Sequence, residues 1–252
     1  MTDRWLAPSL LRTDARMRLF CLPYAGAGAS AYRTWANEIP PELQLCAVQL
    51  PGRENRLGDR PIDDAATLVR EMLAGIRPYL DRPFVIFGHS MGALLAFELA
   101  RELRRLGYPQ PRHLFLSAHR APQLPGLLPH VHSLTRSEFI AELRNLEGTP
   151  EEVLAHEELM QIAEPILRAD FKLCELYEYV PGEPLDIPLS IFGGADDPKI
   201  TESVLEPWRQ QTRASMKLRI FPGGHLFLQQ SRMELVSAIL EDLHIDSFRM
   251  TI

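Results

Sequence analysis

The stretch Phe84–Ala100, FVIFGHSMGALLAFELA, decides the fold. Its first four residues, Phe84 to Phe87, are apolar and read as a buried strand. They run into Gly88-His89-Ser90-Met91-Gly92. The chain then turns helical and apolar from Met91 to about Leu106, and Gly107 closes the helix. So tight a strand-to-helix turn forces its central residue into strained backbone geometry. Glycines at 88 and 92 let strand and helix approach without clash. The strain would hold the Ser90 hydroxyl at the helix N-terminus, above the sheet edge, with the Met91 amide pointing where an oxyanion would form.

Further apolar runs of strand length lie on either side: Met17–Pro23, Leu43–Leu50, His113–Ala118, Pro188–Gly194 and Leu218–Pro222. Helical patterns over Ala65–Leu80 and Arg232–Leu243 alternate with them. Continuous apolar strands separated by helices predict a mostly parallel sheet covered on both faces. The alternation breaks between residues 121 and 182, where no strand pattern appears. Pro122, Pro125 and Pro129 mark an irregular entry. Thr149-Pro150-Glu151-Glu152 reads as a capping box with Thr149 as N-cap, and a longer helix follows from Glu157 to about Tyr179. The expectation is one domain, 1–252, with a mobile helical lid inserted over the carboxyl edge of the sheet, where open α/β sheets bind ligands.

Bulk properties narrow the class. A chain of 252 residues with 46% hydrophobic composition can bury one large α/β core. A formal net charge of −6 gives no electrostatic case for nucleic acid. There is no N-terminal apolar leader pattern and no bilayer-spanning run, which points to a cytoplasmic protein. Three cysteines do not make a disulfide framework, and Cys21 and Cys46 lie in strand-like runs as expected of buried thiols.

A serine hydroxyl needs a base within hydrogen-bond reach. The Gly-x-Ser-x-Gly elbow is that of α/β-hydrolases, where the acid and then the histidine follow the serine along the chain, each on a loop after a strand. His225 follows the last strand and the flexible pair Gly223–Gly224. His89 lies in the elbow with its side chain expected to point away from Ser90, and the remaining histidines are less well placed. For the acid, the loop after Pro188–Gly194 offers Asp196 and Asp197. Pro198 biases Asp197 toward extended geometry, so Asp196 is the expected partner of His225. The loop Pro23–Ser30 would bring a second oxyanion donor, the Ala25 amide. Its glycines match neither a dinucleotide fingerprint nor a P-loop.

Six segments, LPYAGAGASAYRTW, VQLPGRENRL, FGHSMGALLAFELAREL, PILRADFKLCELYEY, IFGGADDP and FPGGHLFL, together resemble the type II thioesterases of polyketide and nonribosomal peptide synthesis. The resemblance runs from about Trp5 to Leu243. It implies an α/β-hydrolase fold with a helical lid, and hydrolysis of acyl groups from the phosphopantetheine arm of acyl or peptidyl carrier protein domains. It places the triad on Ser90, Asp196 and His225, with oxyanion amides from Ala25 and Met91. No metal or cofactor is implied, since the phosphopantetheine belongs to the partner; a monomer is expected. Two departures are visible: Ala27 where the family often has a second glycine, and Leu226 where an aromatic usually follows the histidine. The triad alone suits a carboxylesterase or lipase acting on free oxyesters equally well, and a non-catalytic ligand-binding protein of the same fold is the alternative from another class. Carrier proteins are generally acidic and this chain is itself net negative. Docking therefore needs a local basic patch, for which Arg53, Arg56 and Arg60 in Pro51–Arg60 are the candidates.

Overall fold

The computed structural model describes residues 4–7, 15–126, 130–146 and 148–245. Pro129, at the lid entry, lies outside the described residues. Six parallel strands form one sheet in the order β2-β1-β3-β4-β5-β6: β1 (Met17–Leu22), β2 (Leu43–Ala47), β3 (Phe84–His89), β4 (Leu114–Ser117), β5 (Leu189–Gly194) and β6 (Met216–Phe221). All six correspond to runs predicted from sequence. In the inner strands β1, β3, β4 and β5 the apolar runs are near-continuous because both faces are buried, whereas the edge strand β6 is only partly buried and carries Lys217 and Arg219. Along β1, Phe20 and Leu22 face one core, while Leu19 and Cys21 face the other; β3 repeats this with Phe84 and Ile86 against Val85 and Phe87.

The first core lies beneath α1 (Ala65–Ile76) and α2 (Met91–Arg105), and the second is closed by the 3-10 segment Ala29–Asn37 and by α8 (Arg232–Asp242). Asp64 caps α1 by accepting from the Thr67 amide at 2.8 Å. α1 stops at Ile76, short of the expected Leu80, and a 3-10 turn over Arg77–Tyr79 carries Pro78. Gly107, at φ +70°, ends α2 as expected. Cys21 and Cys46 are buried and form no disulfide, and burial holds Cys21 well above its ordinary value.

Between β4 and β5 the chain leaves the sheet for α3 (Arg136–Asn145), α4 (Glu151–Leu154) and α5 (Glu157–Glu175). The capping box sits at Thr135 and Glu138 rather than at Thr149. The Glu138 carboxylate accepts from the Thr135 amide at 3.0 Å and from its hydroxyl at 2.6 Å. α4 starts one residue later than expected, with Pro150 as N-cap, and Glu151 pairs with Arg144 at 2.9 Å. The insertion has a small core of its own: Val131, Phe139, Leu143, Leu154, Met160 and Leu167. Tyr177 and Tyr179 fasten its end to the body, donating to Glu98 at 2.6 Å and to Gln211 at 3.0 Å. α6 (Glu202–Leu205) and α7 (Phe227–Gln230) complete the described helices. Among the described residues no helix is long and apolar enough to cross a membrane.

Candidate active site

The strand order reverses between β1 and β3, the place where open α/β sheets bind ligands beyond the carboxyl ends of their strands. Ser90 stands on the turn from β3 to α2 with φ +52° and ψ −118°, a conformation a side-chain-bearing residue adopts only where its surroundings impose it. Both flanking glycines are required by space. A Cβ on Gly88 would lie 2.0 Å from the Gly92 carbonyl oxygen, and one on Gly92 would lie 2.2 Å from that of Leu22. The Ser90 amide donates to the Ser117 carbonyl at 2.8 Å, which fixes the elbow to β4.

His225 Nε2 lies 2.9 Å from Ser90 Oγ, and its Nδ1 lies 2.6 Å from Asp197 Oδ2. The partner of His225 is therefore Asp197, and the expectation of Asp196 is corrected. Asp196 is exposed; its backbone amide bonds the Gly223 carbonyl at 2.9 Å, and so it ties the acid loop to the histidine loop through the main chain alone. Pro198, taken from sequence as a reason against Asp197, works in its favour. Proline offers no amide, so the Asp197 carboxylate reaches past it and accepts from the Lys199 and Ile200 amides, both at 3.0 Å. Oδ1 is consumed there, and Oδ2 is left for the imidazole. Burial alone would raise the Asp197 carboxyl. The bond and charge of His225 and the two amides outweigh it and hold the group below its ordinary value.

His89 is wholly buried, and its ring bonds Ser117 and His225 rather than Ser90. Its Nε2 lies 2.9 Å from the His225 carbonyl oxygen, which can only accept, so Nε2 carries the proton and Nδ1 accepts from the Ser117 hydroxyl at 2.9 Å. Burial pushes its pKa down to about 3, so the ring is a neutral brace between β4 and the His225 loop. A structural role for His89 is what its place in the elbow implies; its two partners, 28 and 136 residues along the chain, are not legible from sequence.

The loop after β1 makes a four-residue turn, Tyr24–Ala27, closed by the Ala27 amide on the Tyr24 carbonyl at 3.0 Å, with Gly26 at φ +78°. The amides of Ala25 and Met91 take no acceptor among the described residues. Leu226, the departure after the histidine, is the N-cap of α7 and packs with the second core.

Arg53 and Arg56 do not form the basic docking patch expected of them. Arg53 is buried and paired with Asp170 of α5, which is wholly buried. Arg56 is buried too: it donates to Asp59 at 2.8 Å and to the Gln49 carbonyl at 3.1 Å, with its guanidinium 4.2 Å from the centre of the Trp5 ring. Of the three, only Arg60 is exposed. Away from Ser90, His130, His132 and Glu175 bring possible metal-ligand atoms within 4.8 Å of one another. Glu175 is already occupied there: it accepts from the Val131 and His132 amides at 2.8 and 3.3 Å and from the His132 ring, holding the turn Val131–Ser133 in place.

The thioesterase domain model matches residues 17–245. The chain belongs to the thioesterase family. It is 42% identical over 243 residues to the gramicidin S biosynthesis protein GrsT of Aneurinibacillus migulanus, covering 96% of this chain and 95% of that one. Among solved structures, RedJ, a thioesterase of the prodiginine pathway in Streptomyces coelicolor, superposes with a TM-score of 0.84 at 39% identity, covering 90% of this chain and 86% of RedJ. BorB, the type II thioesterase of the borrelidin cluster, superposes with a TM-score of 0.84 at 34% identity over 97% and 98% of the two chains. The fold is that of the α/β-hydrolases, the chain is a thioester hydrolase, and it belongs with the type II thioesterases of polyketide and nonribosomal peptide synthesis.

Proposed function

We propose that this thioesterase clears acyl groups from the phosphopantetheine arm of carrier protein domains through an acyl-enzyme on Ser90. The observation that carries the reading is the hydrogen-bonded chain from Ser90 Oγ through His225 to Asp197, at 2.9 and 2.6 Å, at the carboxyl edge of the sheet. Ser90 Oγ attacks the thioester carbonyl while His225 Nε2 takes its proton. Asp197 holds Nδ1–H and stabilises the imidazolium without becoming protonated. The amides of Ala25 and Met91 receive the tetrahedral oxyanion, each worth about 3–4 kcal/mol of transition-state stabilisation. The intermediate collapses with loss of the thiolate, which leaves protonated by His225 as the pantetheine thiol. Water attacks the ester carbonyl, gives a proton to His225, and the carboxylic acid leaves as Ser90 regains its own. All of this is done by side chains and amides of the chain; the pantetheine arrives with the partner.

The test is turnover of a panel carrying one acyl group on a holo-carrier protein, on N-acetylcysteamine and on an oxygen ester. A higher kcat/KM for the carrier-bound thioester supports the reading. Preference for the oxygen ester would make the protein a carboxylesterase, and binding of the acyl group without turnover would make it a receptor.

A further inference from the structure

Two of the sequence segments singled out above, VQLPGRENRL and PILRADFKLCELYEY, meet in the structure. Arg53 comes from the loop after β2 and Asp170 from the second half of α5. The pair is bidentate: Arg53 Nη1 donates to Asp170 Oδ2 at 2.6 Å and Nη2 to Oδ1 at 2.9 Å. The side chains are 5% and 0% exposed, so the ions are cut off from water and from docking partners. What they hold is the turn carrying Ala25. Asp170 Oδ2 also accepts from the Gly26 amide at 2.8 Å, and Arg53 Nη1 donates to the Ala27 carbonyl at 3.2 Å. The turn is thus gripped from both sides by one ion pair.

The direction of the Ala25 amide follows from that grip. Ala25 N–H and Tyr24 C=O belong to one trans peptide and point opposite ways. Because the Tyr24 carbonyl accepts from the Ala27 amide, the Ala25 amide is turned out of the turn, free to donate. The bond that sets this exists only while Gly26 keeps φ +78°, and the Asp170 carboxylate fixes the Gly26 amide. Leu167, one helical turn before Asp170, packs so closely on the turn that a Cβ at Gly26 would come within 2.6 Å of its side chain. Downstream, Gln49 accepts from the Ala29 amide at 3.1 Å and Glu54 from that of Ser30 at 3.1 Å.

We propose that Asp170 and Arg53 are positioning residues for the oxyanion hole, and that the seating of α5 therefore sets how well the Ala25 amide serves the reaction. The pair does not touch the acyl group. Its two charges cancel, so the loop is held without placing a net negative charge beside the developing oxyanion. The proposal rests on the reading of Ser90 as nucleophile and Ala25 as oxyanion donor.

The test uses Asp170→Asn and, because that change leaves Arg53 buried without its counter-ion, the double variant Arg53→Met/Asp170→Leu, which removes both charges together. Active molecules are counted by fluorophosphonate labelling of Ser90 carried to completion, so that misfolded protein drops out. Per labelled site, kcat for an acyl-N-acetylcysteamine thioester should fall roughly 10- to 100-fold, as for a displaced oxyanion donor, with KM within about twofold. Affinity for a trifluoromethyl ketone analogue, which forms the tetrahedral adduct, should fall by the same factor. Unchanged kcat per labelled site, with only a lower Tm or fewer active molecules, would show a purely structural ion pair and overturn the proposal. So would a rise in KM at constant kcat, since that places the pair in substrate binding. If the unmutated enzyme neither hydrolyses the thioester nor is labelled at Ser90, the reading of the site itself falls, and the proposal with it.

Discussion

Lowering the pH from 7 to 5 should destabilise the folded chain well before its lowered carboxylates begin to protonate. His89 is fully buried, and burial pushes its pKa from 6.5 down to about 3. His113 is buried and stacked on Phe115, and burial again dominates in taking it from 6.5 to about 4. Both return to the ordinary value in the unfolded chain, so between pH 6.5 and the folded values the unfolded state binds the extra protons. Their contribution is complete above pH 6.5 and drains away as the pH falls toward 4 and then 3. Between pH 7 and 5 each costs on the order of 2 kcal/mol, about 4 for the pair. That is a large part of the roughly 5–15 kcal/mol a domain has in total. His119 is held down to about 3, chiefly by burial, and acts in the same direction. The lowered carboxylates Asp197 and Asp242 do not act in this window, because their contributions are lost only below the ordinary value of 3.8. The assay is the urea midpoint at pH 7, 6, 5.5 and 5 for the wild type and for His113→Gln. Glutamine can place an amide near the Nε2 that sits 2.8 Å from Ser190 Oγ, yet takes up no proton. The wild type should lose about 4 kcal/mol by pH 5, and the variant should show a clearly shallower slope. Equal wild-type stability at pH 7 and 5, or an unchanged slope in His113→Gln, would refute the reasoning.

Three further outcomes follow from contacts around the site. Asp197→Asn should lower kcat by about 10⁴-fold, while Asp196→Asn stays within a few-fold of wild type; steady-state kinetics of the two variants checks this, and the reverse order would reinstate Asp196. Gly92→Ala should yield little folded protein, since its Cβ would sit 2.2 Å from the Leu22 carbonyl oxygen; soluble yield and circular dichroism measure it. Arg56→Glu should destabilise the fold by about 3 kcal/mol or more, through the lost Asp59, Gln49 and Trp5 contacts, with carrier-bound and small thioesters losing turnover equally. A selective loss on the carrier substrate would return this arginine to a docking surface.

The inner strands are legible because strands buried on both faces demand near-unbroken apolar runs, and the elbow because only glycine fits at 88 and 92. The order of Ser90 and His225 along the chain followed from the elbow and the strands. Asp196 and Asp197 are hard to separate from sequence, because Pro198 reads first as a constraint on the backbone of the residue before it. The proline's missing amide, which sends the Asp197 carboxylate on to Lys199 and Ile200, is the better signal. The burial of Arg53 and Arg56 is hidden from sequence for a related reason. A local run of basic residues says nothing of partners far along the chain, and Asp170 lies 117 residues beyond Arg53. Such a pair becomes visible only when the sheet brings the loop after β2 beneath α5.

The most direct test of the site is to trap the covalent intermediate. The enzyme is mixed with an excess of acyl-N-acetylcysteamine thioester, quenched in acid within one turnover, and digested for peptide mass spectrometry. The acyl mass should appear on the peptide carrying Ser90, and Ser90→Ala should show neither adduct nor appreciable turnover while keeping its fold. Acylation of a different residue, or near-normal turnover by Ser90→Ala, would contradict the assignment of Ser90, His225 and Asp197 as the reacting machinery.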